Sequence, residues 1–352
     1  MPEWPVISLF TGAGGLDLGL ELAGFYVALA VEIDRVRCET IRLNRPLWRL
    51  LQEDIRLLDT ESILSEAGLL PGEPALVSGG PPCQPFSKSA IRRGRNPLTD
   101  FRVPLVMEFA RVVREAKPQA FILENVPGLA GKPGRELFIK FIEELSSNGY
   151  KLNWKTLNAV DFGVPQKRRR LFVIGIRKDL EIEPSFPSPT HAPPEKARIN
   201  SNQHNLRPYV TAGEAIGDLD DGLVAEDEIP NGKWGHLLAQ IPPGKNYIWL
   251  TERYSKKPIF KYRSRYWSFL LKLHPKMPSW TIQANPGQYV GPFHWRNRRL
   301  RISEVKRLQT FPDDWEVAGS KRQQWAQLGD AVPPLLARKI GEKLISLLSH
   351  SR

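Results

Sequence analysis

Along the first half of the chain, short unbroken apolar runs alternate with segments whose apolar residues recur at helical spacing. Residues 6–10, 26–31, 74–77, 120–123, 150–160 and 171–176 read as strands, several of them closed by glycine or an acid. Between them, Leu16, Leu18, Leu20 and Leu22 lead to Gly24, and residues 36–44 read as a second helix. Leu105, Phe109, Val112 and Val113 supply the buried stripe of another, with Pro104 in its first turn, and a helix over 135–148 closes at Gly149. Such alternation predicts an α/β domain, with a mostly parallel sheet and helices on both faces. Near Ile182 the pattern gives way to Pro184, Pro187, Pro189, Pro193 and Pro194 with few apolar residues, which marks a boundary. The expected division is a first domain over 1–182, a smaller one over 183–318, and a segment over 319–352 whose helix, 335–348, returns to the first.

The strand ends carry the polar chemistry. The first run passes into Thr11-Gly12-Ala13-Gly14-Gly15 and then a helix, so backbone amides and a helix dipole face an anionic group there. The turn lacks the glycine spacing of the dinucleotide fingerprint, which argues against a hydride-transfer enzyme. The second run ends in Glu32-Ile33-Asp34, where acids commonly hold ribose hydroxyls, and Glu53-Asp54-Ile55 forms a third acidic turn. Taken singly, each acid is as readily a helix cap. Residues 78–87 read Ser-Gly-Gly-Pro-Pro-Cys-Gln-Pro-Phe-Ser, and the prolines keep Cys83 out of a helix. On its flanks alone, Cys83 is either a presented nucleophile or a small buried hydrophobe. Glu124-Asn125 ends the run over 120–123 and belongs to the same crevice.

Composition narrows the class. The 352 residues, 41% hydrophobic and 25% charged, suit a globular chain, and no apolar run approaches the roughly 18 residues of a membrane span. No secretory signal is visible at the start, two cysteines are too few for a disulfide framework, and no Cys/His cluster has zinc spacing. A reducing cell interior is expected. A formal charge of +12 favours a polyanionic partner. Residues 247–280 interleave Tyr247, Trp249, Tyr254, Phe260, Tyr262, Tyr266 and Trp267 with lysines and arginines, a mixture that serves both as a small core and as a nucleic-acid face. Within 166–170, alternate arginines are expected to point inward.

In their order, these stretches resemble the C5-cytosine DNA methyltransferase family across nearly the whole chain. Phe10 with Gly12, Gly14 and Gly15 looks like its first motif, Glu32-Ile33-Asp34 its second, and Asp54-Ile55 its adenine-contacting turn. Residues 80–87 are similar to the nucleophile motif, and Glu124-Asn125-Val126 matches another. Gln166, Arg168 and Arg170 reproduce Gln-x-Arg-x-Arg, while residues 307–312 and 327–334 resemble the ninth and tenth motifs. Two departures stand out: Asp330 where the family commonly has Asn, and Leu300-Arg301-Ile302-Ser303-Glu304 in place of the usual Leu-Thr-x-Arg-Glu.

The resemblance implies a Rossmann-like class I methyltransferase domain with a target-recognition domain inserted before the C-terminal helix. It implies S-adenosylmethionine, without a metal, held by Phe10, Gly12, Gly14, Gly15, Leu16, Glu32, Ile33, Asp54, Ile55, Pro81, Leu105, Asp330, Ala331 and Val332. A cytosine flipped from duplex DNA would be attacked at C6 by Cys83, with Glu124 on N3 and Arg170 and Arg168 on O2. Implied DNA contacts are Gln84, Ser87, Arg92, Arg93, Arg95, Gln166, Arg263, Arg265, Arg296 and Arg298, with the loop over 84–102 closing behind the base. A monomer acting in the cytoplasm, alongside a cognate restriction endonuclease, completes the expectation. The rival readings are a tRNA cytosine-5 methyltransferase, a catalytically silent DNA-binding relative and, more distantly, a nicotinamide-linked enzyme.

Overall fold

The six apolar runs meet in one sheet, joined by a seventh strand of only two residues. The computed structural model describes residues 4–82, 104–199 and 206–350. Its strands are β1 (Pro5–Leu9), β2 (Tyr26–Val31), β3 (Leu50–Leu51), β4 (Leu76–Gly79), β5 (Ala120–Asn125), β6 (Tyr150–Asn158), the short β7 (Gln166–Lys167) and β8 (Arg169–Arg177). All but β7 form a sheet in the order β3-β2-β1-β4-β5-β8-β6. Pairings from β3 to β5 are parallel, and β8 runs antiparallel to both its neighbours. Alternation along the strands divides the core. Ile7, Leu9, Val77, Phe121 and Leu123 pack on one face, and Val6, Leu76, Ala120 and Ile122 on the other.

The helices are α1 (Gly15–Ala23), α2 (Arg35–Asn44), α3 (Thr60–Ala67), α4 (Leu105–Ala116) and α5 (Arg135–Ser147) in the first half. After them come the short α6 (Pro194–Ile199) and α7 (Ala212–Ile216), then α8 (Ile302–Leu308), α9 (Lys321–Asp330) and α10 (Pro334–Ser349). The first face is covered by α3, α4 and α5, the second by α1 and α10. Sequence and structure agree closely here because the caps are strong. Asp34 accepts from the Val36 and Arg37 amides at the start of α2, and Gly24 closes α1 in the left-handed region at φ 113°. One expected strand is shorter: beyond Asn158 the chain turns through a 3₁₀ segment, Ala159–Phe162, closed by Gly163 at φ 90°.

Beyond the proline-rich stretch a separate core forms from Leu237, Leu238, Ile241, Tyr247, Leu250, Phe260, Phe269, Leu270 and Phe293. A two-residue strand there, β11 (Ser279–Trp280), pairs in parallel with β7; β9 (His191–Ala192) and β10 (Arg207–Pro208) precede it. A further core joins Ala13 and Leu18 of the glycine turn and α1 to Val305, Leu308, Phe311, Trp315 and Leu328.

Candidate active site

The strand order reverses between β1 and β4, where the connections leave toward opposite faces and a crevice opens at the carboxyl ends of the strands. A cavity of about 340 Å³ lies there. Phe10, Gly12, Gly15, Leu16, Glu32, Ile33, Asp54, Ile55, Pro81, Leu105, Asp330, Ala331 and Val332 all line it, as does Glu124. Gly14 does not line it; a Cβ there would meet Ile41 and Trp315 instead. Phe10, Gly12 and Gly14 all take positive φ, at 56°, 61° and 78°, which folds the turn back under the start of α1. A Cβ on Gly15 would stand 2.3 Å from the Val332 carbonyl oxygen, so the chain's return from α9 can close over the turn only because this residue is glycine.

The acid of β2 is held firmly. Glu32 is buried and accepts from the Gly12 amide at 2.8 Å and from the Asp34 amide at 2.9 Å. Asp54 caps the following turn and pairs with Arg56, which lowers its pKa. Across the mouth, Arg37 donates to Asp330 at 2.9 Å. Where an Asn would offer an amide, Asp330 thus offers a charge that answers this arginine. Neither the pairing nor Arg37's place in the lining was signalled by the sequence.

At the other end, β4 delivers Gly79-Gly80 and then Pro81. A Cβ on Gly80 would come within 3.1 Å of Glu124 Oε2, so β4 and β5 close tightly at this point. Asn125, fully buried, donates to the Pro81 carbonyl at 3.1 Å and accepts from the Val126 amide at 2.9 Å. It pins the segment that enters the cysteine loop. Cys83, Gln84, Ser87, Arg92, Arg93 and Arg95 lie outside the described residues. The other cysteine, Cys38, is buried, donates to the Glu32 carbonyl and has its thiol pushed up to about 11 by burial, so it is inert.

Glu124 is buried at the end of β5, and Arg170 Nε of β8 lies 2.9 Å from its Oε1. Burial raises the Glu124 pKa, while the positive charges of Arg170 and Arg168 work against that rise. The protonated form, which burial favours, can donate one hydrogen bond while its other oxygen accepts from the guanidinium.

Three arginine and glutamine expectations need correction. Arg168, expected on the base, is fully buried and donates to the carbonyls of Ile282, Gly329 and Asp330. It clamps three segments together. Gln166, expected on DNA, is also fully buried, donating to Leu308 and Gln309 and accepting from the Ile282 amide. Arg298, likewise, makes a fully buried two-pronged pair with Glu304 at 2.9 and 2.7 Å. Each is a basic or amide residue recruited to join segments, which composition does not distinguish from a phosphate contact. Arg263 and Arg265 are exposed, and Arg296, about half exposed, is tied to Asp220 at 2.7 Å.

Residues 5–346 match the family model described as C-5 cytosine-specific DNA methylase. The chain belongs to that family. Among curated proteins, the Type II methyltransferase M.SacI of Streptomyces achromogenes is 41% identical over 372 residues, covering 99% of this chain and 94% of that one. The Type II methyltransferase M.PspPI of Psychrobacter sp. (strain TA137) is 35% identical, over 99% of this chain and 80% of its own. Among solved structures, an E. coli prophage-encoded protein described as a DNA modification methyltransferase superposes with a TM-score of 0.70 at 28% identity, covering 98% and 99% of the two chains. The methyltransferase is therefore an enzyme acting on cytosine C5 in DNA, on a Rossmann-like class I fold. Membership in a methyltransferase family carries with it the use of S-adenosylmethionine. Among the described residues no cluster of metal-binding side chains occurs and no helix is long and apolar enough to cross a membrane.

Proposed function

We propose that this methyltransferase transfers a methyl group to a cytosine flipped out of duplex DNA, with Cys83 as nucleophile, Glu124 and Arg170 on the base, and the cofactor in the crevice between β1 and β4. The observation that carries the reading is the buried Glu124–Arg170 pair, which stands beside the cavity and beside the segment that Asn125 fixes just ahead of Cys83. The crevice suits the cofactor's three parts. Glu32, oriented by two amides, offers its carboxylate to ribose hydroxyls; Ile33, Asp54 and Ile55 face the adenine; the glycine turn takes the amino-acid end. When bound, S-adenosylmethionine supplies an electrophilic methyl group.

The chain's own residues do the rest. Cytosine C5 is a weak nucleophile, and addition of the Cys83 thiolate to C6 turns C5 into an enamine-like carbon. Glu124 holds a proton toward N3 and accepts from the exocyclic amine, stabilising that addition, while Arg170 donates toward O2. Burial keeps water from competing for both. Loss of the C5 proton to water, with expulsion of Cys83 as the thiolate, then frees the product. Flipping costs a few kcal/mol, offset by contacts from the recognition region expected over 183–318, where Tyr254, Tyr266 and Trp267 are exposed beside Arg263 and Arg265. The likeness to Type II methyltransferases favours a role as the protective half of a restriction-modification pair. In this reading the enzyme acts as a monomer in the cytoplasm.

Cys83→Ser tests the assignment. Transfer of tritiated methyl groups to duplex DNA is expected to fall below detection with cofactor affinity within about twofold of the parent, because the hydroxyl is a far weaker nucleophile than the thiolate. Sustained incorporation by the variant would overturn the role of Cys83. Methylation of tRNA in preference to duplex DNA by the parent enzyme would overturn the substrate.

A further inference from the structure

Among the described residues only two cations line the crevice, Arg37 and Arg56, against a larger set of acids that includes Glu32, Asp34, Asp54, Glu124 and Asp330. Such a lining favours a positively charged ligand group and opposes a negative one. The cofactor proposed above carries both kinds, a sulfonium and an α-ammonium on one side and a single anion, the α-carboxylate, on the other. That carboxylate needs a cation of its own. Arg56 is already committed, forked onto the Asp54 carboxylate at the turn assigned to the adenine.

Arg37 is placed differently. Its backbone is fixed at the start of α2, where the Asp34 side chain accepts from the Arg37 amide at 3.1 Å and the Asp34 amide donates to Glu32. From there the side chain crosses the mouth, and Nη2 donates to Asp330 at 2.9 Å. Among the described residues neither Nε nor Nη1 has an acceptor, so most of the guanidinium's five donors are uncommitted. Nη1 is turned toward the glycine turn, 3.7 Å from where a Cβ on Gly12 would stand. The pair is open to a ligand, with the two side chains 29% and 31% exposed. Burial works against the charge on Arg37, and Glu32, Asp330 and Asp34 more than restore it. As a mere tie between α2 and α9, an ion pair this accessible contributes little.

We infer that Arg37 is a cofactor-binding residue that receives the α-carboxylate of S-adenosylmethionine and of the product S-adenosylhomocysteine, and that Asp330 is the positioning residue that holds its guanidinium over the glycine turn. This rests on the cofactor site proposed above. Arginine at 37 and aspartate at 330 then form one device, since an Asn at 330 has no charge with which to hold the guanidinium in place.

The test is calorimetric binding to the full-length protein of S-adenosylhomocysteine, of its decarboxylated analogue, and of methylthioadenosine, which lacks the amino acid altogether. The parent is expected to bind S-adenosylhomocysteine about tenfold or more tightly than the decarboxylated compound, as the loss of a charge-assisted hydrogen bond requires. In Arg37→Met that discrimination should fall to about twofold or less, with the other two compounds bound no more than about twofold more weakly than by the parent. Asp330→Asn should lower the discrimination in the same sense, a readout that a purely structural pair would not move. Equal affinity of the parent for S-adenosylhomocysteine and its decarboxylated analogue overturns the inference while leaving the cofactor site standing, and needs no variant to fold. Full discrimination retained by Arg37→Met overturns it too, as does an equal loss of all three compounds in that variant. Unchanged discrimination in Asp330→Asn overturns the positioning role of Asp330. Binding of none of the three by the parent overturns the cofactor site itself, and with it this inference.

Discussion

Glu124 and Asp330 are both carboxyls of one crevice, yet their surroundings set them apart. Glu124 is buried beside Arg170, whereas Asp330 stands at the mouth beside Arg37, each 2.9 Å from its cation. For Glu124 the raised pKa means that the neutral acid, the form able to donate to cytosine N3, is lost as pH rises through that value. Turnover should therefore decline on the alkaline side. Glu124→Gln should slow single-turnover methyl transfer by about 100-fold or more and flatten that decline, with DNA affinity within a few fold of the parent. Rapid-quench measurements across pH decide it. A large loss of DNA affinity at an unchanged transfer rate would assign Glu124 to binding. Asp330 shows the same logic on the surface side. Its charge makes sense only beside Arg37, which is why the departure from Asn could be seen in the sequence and its partner could not.

At the level of elements, α1 and α10 are fitted to one another with little tolerance. A Cβ on Gly19 would stand 2.4 Å from the Ala337 Cβ and 2.4 Å from the Pro334 carbonyl oxygen, the second a backbone atom that cannot swing aside. Helix propensity alone predicts that Gly19→Ala gains about 1 kcal/mol. Overpacking against a fixed backbone costs typically about 1–3 kcal/mol, and strands α10 off its seat. Net destabilisation is expected, read as a lower midpoint in urea at an unchanged slope. Elements of this kind were easy to read from the chain. All the sheet strands but the two-residue β3 announce themselves by apolar runs, and α2 and α4 by a cap or a stripe, because local chemistry decides them. What the sequence concealed was side-chain destination. Gln166 and Arg298 look outward by type and point inward in fact, to a carbonyl far along the chain and to a glutamate six residues on; Arg168, expected inward on the base, instead satisfies carbonyls more than a hundred residues away. Arg37 left no trace, because a cation in the first turn of a capped helix reads as one more solvated charge.

Across the whole molecule, the net charge of +12 divides into cations that hold the protein together and cations that remain for a partner. Arg298 belongs to the first group. Arg298→Ala would leave Glu304 buried and unpaired, costing about 3–5 kcal/mol of stability. Arg265 belongs to the second. It is exposed, beside the rings of Phe260 and Phe269, and Arg265→Ala should leave the melting temperature within a few degrees while weakening DNA binding across sequences. The plot of log affinity against log salt concentration should also become less steep, by about 1 in slope if one phosphate contact is lost. Thermal melts together with salt titrations of both variants separate the two groups. If Arg298→Ala melts normally and loses DNA affinity, the division drawn here fails.

The seat of α10 against α1 also bears on the order in which a working enzyme comes into being. Leu336, Ala337, Ile340 and Leu344 complete the face begun by Leu16 and Leu20, and the Val332 carbonyl closes over Gly15. Both are made after the sheet, the recognition region and the catalytic pair have left the ribosome. A nascent chain stopped at residue 330 holds the groups proposed to touch the base, yet it lacks one wall of the crevice and leaves an apolar groove along α1 uncovered. Competence thus arrives with the last few turns of helix rather than growing gradually with length.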